Sequence, residues 1–174
     1  RTTNVGAGGL VINNGGTLND ASTTGTLNVS GGCTVPAGAS ATANRMTISV
    51  TGATIISGTL TFTNTGGTKT FNDVTIASGG TWTATAAEAF TINGSISQNG
   101  TFLANTGIYT LAGAAKTLGG TRNLIFDRVS ISGSYTNTDS LQLTTDFAGA
   151  GTLTQSANSY FVIGDLTPAA ILTA

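Results

Sequence analysis

Histidine is absent from this sequence of 174 residues, and charged residues of either sign are scarce. Without an imidazole, a Ser–His–Asp or Cys–His catalytic arrangement is excluded, and so is a metal site built on histidine. Charged side chains make up 7% of the chain, against roughly a quarter in a typical soluble domain. The six basic residues are scattered, which argues against nucleic acid as a partner, since neutralising phosphates takes grouped Lys and Arg.

Cysteine, metal motifs and long apolar runs are also scarce or missing. The one cysteine, Cys33, allows no disulfide framework, and with no basic neighbour in sequence we expect a small, semi-buried and unreactive thiol. No apolar run approaches the length of about 20 residues that a membrane-spanning helix needs, so no membrane span is predicted. Neither a calcium loop nor a phosphate-binding glycine motif occurs, so we expect no metal, no cofactor and no enzymatic activity.

The residues that are present favour strands. Thr, Val, Ile and Phe recur in short runs that alternate polar and apolar positions, such as "TLTFTNT" (59–65) and "LQLT" (141–144). The 25 glycines and the Asn-Gly steps between these runs suit the sharp corners that must join them. An all-β fold is therefore predicted, with 39% hydrophobic residues to supply a core.

A seven-residue pattern recurs at a spacing of about twenty. "ISGTLTF" (56–62), "IASGGTW" (76–82) and "ISQNGTF" (96–102) share a first isoleucine, a threonine in sixth place and a final aromatic residue. This repeat predicts a parallel β-solenoid with rungs of about 20 residues, because stacked coils place equivalent residues above one another. The alternative is a set of β-sandwich repeats, which needs no fixed stacking register. The predicted internal core ladders are Ile56, Ile76 and Ile96, and Phe62, Trp82 and Phe102.

Both ends of the sequence read as strands without a cap. Residues 1–167 are predicted to form one solenoid domain, and 168–174 a C-terminal strand or arm that pairs with a neighbouring subunit. Exposed strand edges invite such pairing, and the net charge of −1 does not oppose it. The chain is expected to be a mature subunit or a piece of something longer. The candidate subunit-contact residues are Leu10, Val11 and Ile12 near the start, and Ala170, Ile171, Leu172 and Thr173 near the end.

Two stretches, "GTFLANTGIYTLAGAAKTLGGT" (100–121) and "VSISGSYTNTDSLQLTTDFAGAGTLTQSANSYFVIGD" (129–165), resemble the β-strand-repeat modules of large secreted bacterial surface proteins and adhesins. The resemblance covers about residues 45–165. It implies an exported, non-enzymatic protein at the cell surface, adhesive or structural in role. The implied partners are copies of itself in a homopolymer, flanking repeats of a longer chain, and surface glycans. In the same stretch "DSL" matches a short bacterial O-glycosylation signal, which makes Ser140 a candidate acceptor.

The leading hypothesis is thus a structural unit of an extracellular bacterial fibre or adhesin stalk, self-associating end to end. A carbohydrate-binding or carbohydrate-cleaving solenoid is the first alternative. Cleavage would need grouped acids, and Asp73 and Asp127 could meet, with Arg128 alongside, only if a longer repeat stacks them.

Ice binding is the second alternative. The triplets Thr59/Thr61/Thr63 and Thr81/Thr83/Thr85 could form a flat hydroxyl array on one face of a solenoid. Two observations weigh against such an array. Leu103 and Asn123 replace threonine at the equivalent positions of the following rungs. Outward threonine is also common on strands of any function.

Overall fold

The structure is a computed structural model that describes residues 1–19, 25–157, 159–163 and 171–173. Over these residues the chain has no helix and forms a parallel β-solenoid with coils of about 21 residues. The predicted solenoid is confirmed. The sandwich alternative is wrong, because the three sheets are parallel, whereas a sandwich of short strands relies on antiparallel hairpins.

Short strands separated by tight corners make up each coil. The described strands, in chain order, are β1 (Thr2–Val5), β2 (Leu10–Val11), β3 (Thr17–Leu18), β4 (Gly25–Val29), β5 (Cys33–Val35), β6 (Ser40–Ala43), β7 (Met46–Val50), β8 (Thr54–Ile56), β9 (Thr59–Phe62), β10 (Lys69–Phe71), β11 (Val74–Ile76), β12 (Thr81–Ala84), β13 (Ala89–Ile92), β14 (Ile96–Gln98), β15 (Thr101–Leu103), β16 (Ile108–Leu111), β17 (Lys116–Gly120), β18 (Leu124–Ile131), β19 (Ser134–Asn137), β20 (Ser140–Ala148), β21 (Thr152–Gln155), β22 (Tyr160–Ile163) and β23 (Ile171–Thr173).

Successive strands of one coil belong to different sheets, which form the sides of the solenoid. Sheet 1 runs β1-β4-β7-β10-β13-β16-β18-β20-β22, and sheet 2 runs β2-β5-β8-β11-β14-β17-β19-β21-β23. Sheet 3 is shorter and runs β3-β6-β9-β12-β15. The early coils therefore have three sides. Beyond β15 no described strand continues sheet 3, and the chain passes from sheet 2 directly into the long strands β18 and β20 of sheet 1.

One hydrophobic core fills the interior along the described coils. Strand side chains alternate between the interior and the surface, as in β12, where Trp82 and Ala84 are buried while Thr81 and Thr83 are half-buried. This is the period-two pattern read from the sequence. Each coil covers the apolar face of the next, so burial of the core depends on stacking rather than on any single coil.

The six predicted ladder residues are all buried, but their register is not uniformly twenty. Ile76 pairs with Ile56, and Trp82 pairs with Phe102, as the repeat predicts. Ile96 instead pairs with Val74, and Gln98 occupies the position next to Ile76. The single-ladder register is therefore wrong for Ile96.

The aromatic ladder needs the same correction. Leu60 pairs with Trp82, while Phe62 lies one inward position further along and pairs with Ala84. The Phe62 and Trp82 rings still touch, with centroids 4.6 Å apart. The pairing of Ile96 with Val74 and of Leu60 with Trp82 has one cause, which is a difference in corner length between coils. The corner between β11 and β12 has four residues, 77–80, whereas the corners after β8 and β14 have two, 57–58 and 99–100.

Glycine in the corners before β12 and β15 is required for steric reasons. A Cβ on Gly80 would collide with the carbonyl oxygen of Ile56 in the preceding coil, and one on Gly100 would collide with that of Gly80. Thr81 N donates to Gly58 O, and Thr101 N donates to Gly80 O, both at 2.8 Å. The corner glycines thus stack directly, because a larger residue would push adjacent coils apart.

Candidate functional site

The first coil presents open strand edges on all three sides. β1, β2 and β3 are the first strands of their sheets, and no strand in the described ranges pairs with their outer edges. In sheet 2, Leu10 N donates to Gly32 O at 2.8 Å and Ile12 N donates to Thr34 O at 2.9 Å. Since alternate residues of a parallel strand face opposite neighbours, the backbone N–H and C=O of Val11 point to the open edge.

Sheet 1 repeats this arrangement. Thr26 N donates to Arg1 O and Ser30 N donates to Val5 O, both at 2.9 Å. The odd-numbered residues of β1 therefore face β4, and the backbone groups of Thr2 and Asn4 face outward. Two sides of the first coil thus offer hydrogen-bonding groups in the orientation that a further coil would need.

Apolar side chains accompany these edges. Val11 is 57% exposed, Leu10 is half-buried and Ile12 is 5% exposed. Val5, Leu10 and Leu18 are partly buried and pack against the core. The predicted contact strand at residues 10–12 therefore combines an open backbone edge with one exposed apolar side chain, and the hydrophobic interior extends to this end.

The C-terminal candidate contact strand continues sheet 2 in the described residues. β23 pairs with β21 of its own chain, with Leu172 beside Leu153 and Thr173 beside Thr154. It is the last described strand of sheet 2. The division into a domain at 1–167 and a C-terminal strand or arm at 168–174 that pairs with a neighbouring subunit stays a prediction. Ala170 lies outside the described residues.

The two acids considered for carbohydrate cleavage are far apart in the stack. Asp73 lies in the corner between β10 and β11, where its Oδ1 accepts a 2.7 Å hydrogen bond from Ser95 N. Asp127 lies in β18, with β13 and β16 between it and β10 in sheet 1. The structure does not bring these carboxylates together, because the 55-residue resemblance between their segments spans three coils rather than one.

Asp127 belongs to a small polar cluster at a β-bulge in β18. Its carboxylate accepts hydrogen bonds from the hydroxyls of Thr145 and Thr144, and Arg128 Nε lies 3.2 Å from its Oδ2. The hydrogen bond from Thr145, with smaller contributions from Arg128 and Thr144, holds the pKa of Asp127 below its ordinary value, against an opposing effect of burial. A carboxylate held in its ionised form is poorly suited to donate a proton as a general acid.

Two other residues singled out in the sequence are buried. Cys33 is 3% exposed, and burial raises the pKa of its thiol to about 11, so it stays protonated at neutral pH. Ser140, the candidate glycosylation acceptor, begins β20 and is only 9% exposed. The prediction of Ser140 as an O-glycosylation acceptor stays a prediction. In the described part of the chain, no cluster of three or more His, Cys, Asp or Glu residues could hold a metal ion.

The outer face of sheet 3 carries a regular array of hydroxyl groups, larger than the sequence indicated. Strand pairing places outward residues of neighbouring coils side by side, in two columns. The residues of a column are about 4.8 Å apart, and the two columns are about 6.6–6.8 Å apart along the strands. One column is Ser40, Thr59, Thr81 and Thr101, and the other is Thr17, Thr42, Thr61 and Thr83, followed by Leu103.

A polar cleft opens where sheet 3 ends, and sequence reasoning missed it. It has a volume of about 740 Å³ and lies between the segment 98–102 and the segment 121–123. The signal was the heptapeptide "KTLGGTR" (116–122), in which Arg122 stands in the repeat where Trp82 and Phe102 point inward. A guanidinium cannot replace a core aromatic without a large desolvation cost, and among the described residues no strand of sheet 3 follows β15, so the wall opens there.

A scan of protein-family models, a search of curated proteins and a search of solved structures each find no match to this chain. The resemblance to bacterial adhesin repeats therefore stays a prediction. No helix in the described ranges is long and apolar enough to cross a membrane.

Proposed function

We propose that this chain is a non-enzymatic structural unit of an extracellular bacterial fibre or adhesin stalk. Its first coil would stack on another coil by parallel strand pairing. The partner is a second copy of the chain or a flanking repeat of a longer one. The observation that carries the proposal is the open first coil, with outward backbone groups at Asn4 and Val11 and apolar side chains beside them.

Physical chemistry favours continuation of the stack from this end. An unpaired strand edge is a template for a further strand, and the same pairing already joins every coil inside the molecule. An added coil would cover the partly buried Val5, Leu10 and Leu18, which gives a hydrophobic contribution beside the hydrogen bonds. With a net charge of −1, electrostatic repulsion between copies is weak.

Proline at the open edge tests this proposal. Asn4→Pro combined with Val11→Pro removes two outward N–H groups while leaving the inward ladder bonds of β1 and β2 in place. We expect end-to-end association to weaken about tenfold or more, since each lost hydrogen bond contributes about 1 kcal/mol and the proline rings add a clash. Sedimentation velocity over a range of concentrations, with negative-stain images of the same samples, measures the change.

The matched control is Asn4→Ala with Val11→Ala. It removes the same side chains, including the hydrogen bond from Asn28 Nδ2 to Asn4 Oδ1, but keeps both N–H groups. If the alanine pair weakens association as much as the proline pair, the open backbone edge is not the joint. A wild-type chain that remains monomeric at every concentration rules out self-association and leaves a flanking repeat as the partner.

Ice binding is a second candidate function, and the sheet 3 array favours it. The observed register extends the hydroxyl columns across four coils, from Ser40 and Thr42 to Thr101. A repeated grid of hydroxyls and methyls can hold water molecules in a regular arrangement, because its spacings are set by the strands and not by flexible side chains.

Inhibition of ice recrystallisation tests the array. Thr61→Lys places a long charged side chain at the centre of the hydroxyl columns, and we expect it to abolish inhibition. Thr75→Lys is the control, since Thr75 is a half-buried threonine on sheet 2, away from the array. A wild-type chain without inhibition, or an equal loss in both variants, would rule out this function for the face.

A further inference from the structure

The polar cleft beside β15 is a structural irregularity with a defined chemistry. Its volume of about 740 Å³ falls in the range of roughly 300–1,000 Å³ that is usual for small-molecule sites. Unlike most such sites it is lined mainly by hydroxyl and amide residues, among them Ser78, Thr101 and Thr121, with Phe102 at the inner wall. Hydroxyls can both donate and accept hydrogen bonds, so this lining suits a ligand that carries many hydroxyl groups.

Among the described residues that line the cleft, Arg122 carries the only formal charge. Its side chain is exposed, and in the described part of the chain no carboxylate forms an ion pair with it. A guanidinium binds a carboxylate with two parallel N–H···O bonds, and an unpaired one is available to a ligand. A single cation among several hydroxyls matches one carboxylate on a polyhydroxyl ring better than it matches a phosphate, which is usually held by several N–H groups.

Gln98 adds an independent observation. Its side chain is 2% exposed and its Nε2 donates to Gly100 O at 3.3 Å, but its Oε1 has no hydrogen-bond partner. A buried acceptor without a donor is energetically unfavourable. Gln98 lies in the cleft lining, so a ligand hydroxyl, with a small shift of the amide, would satisfy this oxygen.

From these features we propose that the cleft binds an acidic saccharide, a uronic acid residue whose carboxylate pairs with Arg122 and whose hydroxyls bond to Thr101, Thr121 and Gln98. The site would place a glycan-binding point on the wall of the solenoid. This proposal does not depend on end-to-end stacking, because the cleft lies between β15 and β18 rather than at the first coil.

Isothermal titration with a trimer of galacturonic acid, and with a neutral trimer of galactose as comparison, tests the proposal. We expect the acidic trimer to bind at least about tenfold more tightly than the neutral one to the wild-type chain. Arg122→Gln should lower affinity for the acidic trimer by about tenfold and leave the neutral trimer unchanged, since it removes the ion pair and keeps hydrogen-bonding capacity.

Two further variants separate a built site from general charge attraction. Arg45→Gln removes an exposed arginine outside the cleft lining, and it should leave both affinities unchanged. Gln98→Met removes the unpaired acceptor, and it should reduce affinity about threefold or more in samples that circular dichroism shows to be folded.

Three results would overturn the proposal: no binding of the acidic trimer, equal binding of both trimers, or an equal loss in Arg45→Gln and Arg122→Gln. A Gln98→Met variant that binds like the wild type would remove Gln98 from the site. A melting temperature that falls with Arg122→Gln would also contradict the placement of Arg122 as an exposed ligand group rather than a structural one.

Discussion

Replacing Trp82 with alanine should lower the free energy of unfolding by about 3–5 kcal/mol, the usual range for deleting a large core aromatic. Trp82 is 1% exposed and sits where the stack of aromatic rings is densest. Its ring centroid lies 4.6 Å from that of Phe62, 5.2 Å from that of Phe71 and 5.3 Å from that of Phe90. The substitution would leave a cavity that neighbouring coils cannot close, because their spacing is held by the strand ladders.

The indole nitrogen contributes separately. Trp82 Nε1 donates a buried hydrogen bond to Tyr109 Oη at 3.0 Å. Trp82→Phe keeps most of the ring contacts and breaks this bond, so it should cost less than Trp82→Ala. Urea unfolding followed by far-ultraviolet circular dichroism measures both, since Trp82 is the only tryptophan and its fluorescence is lost in each variant.

Thr83→Ala is the matched control, on the same strand but with its side chain on the outer face. It should change the free energy of unfolding by less than about 1 kcal/mol. If Trp82→Ala costs no more than Thr83→Ala, the aromatic stack is not the centre of stability and the packing described for sheet 3 is wrong.

Replacing Lys69 with methionine should destabilise the fold by about 2–4 kcal/mol. The Lys69 side chain is fully buried, and its ammonium group donates to the carbonyl oxygens of Asn64, Gly66 and Gly67 at 2.8, 2.9 and 2.9 Å. Methionine keeps the length of the side chain but supplies no donor, and each buried acceptor left unpaired costs about 1–3 kcal/mol. Relief of the buried charge offsets part of this loss.

Lys116→Met is the control for Lys69→Met. The two lysines occupy similar sequences, "GGTKTF" (66–71) and "GAAKTL" (113–118), but Lys116 is half-buried. We expect Lys116→Met to change the free energy of unfolding by less than about 1 kcal/mol. Equal effects of the two substitutions would show that the carbonyl cage around Lys69 is unimportant.

The pH dependence of stability gives a second measurement. Burial lowers the pKa of Lys69 below its usual value, with Glu88 opposing part of the shift. Between the lowered pKa and the unfolded value of about 10.4, the unfolded chain binds more protons at this site, so stability should rise with pH across that window. The increase in the free energy of unfolding across this pH window should be smaller in Lys69→Met. Urea unfolding at alkaline pH compares the two proteins, and an unchanged rise in the variant would contradict the assignment to Lys69.

The site residues were only partly predictable from the sequence. The strand at residues 10–12 was visible as an apolar run, but only the order of strands in sheet 2 showed which of its edges is paired among the described residues. The cleft at Arg122 was not predicted, although the change from an aromatic to a basic residue at that place in the repeat was visible. Its importance depends on what surrounds it, because only the stacked coils show that sheet 3 ends there and leaves a polar opening.

The sequence by itself determined the solenoid and the neutrality of its surface. A spacing near twenty places Ile56 beside Ile76, and scarce charge avoids like charges at about 4.8 Å in the ladders. Only the tertiary structure decided the register of Ile96, because a shift of two residues in a corner keeps the inward pattern and leaves no trace in the periodicity. The tertiary structure also decided that Lys69 is fully buried and Lys116 only half-buried. Two similar sequences differ in burial because the coils packed around them differ, and burial is a property of those neighbours rather than of the segment itself.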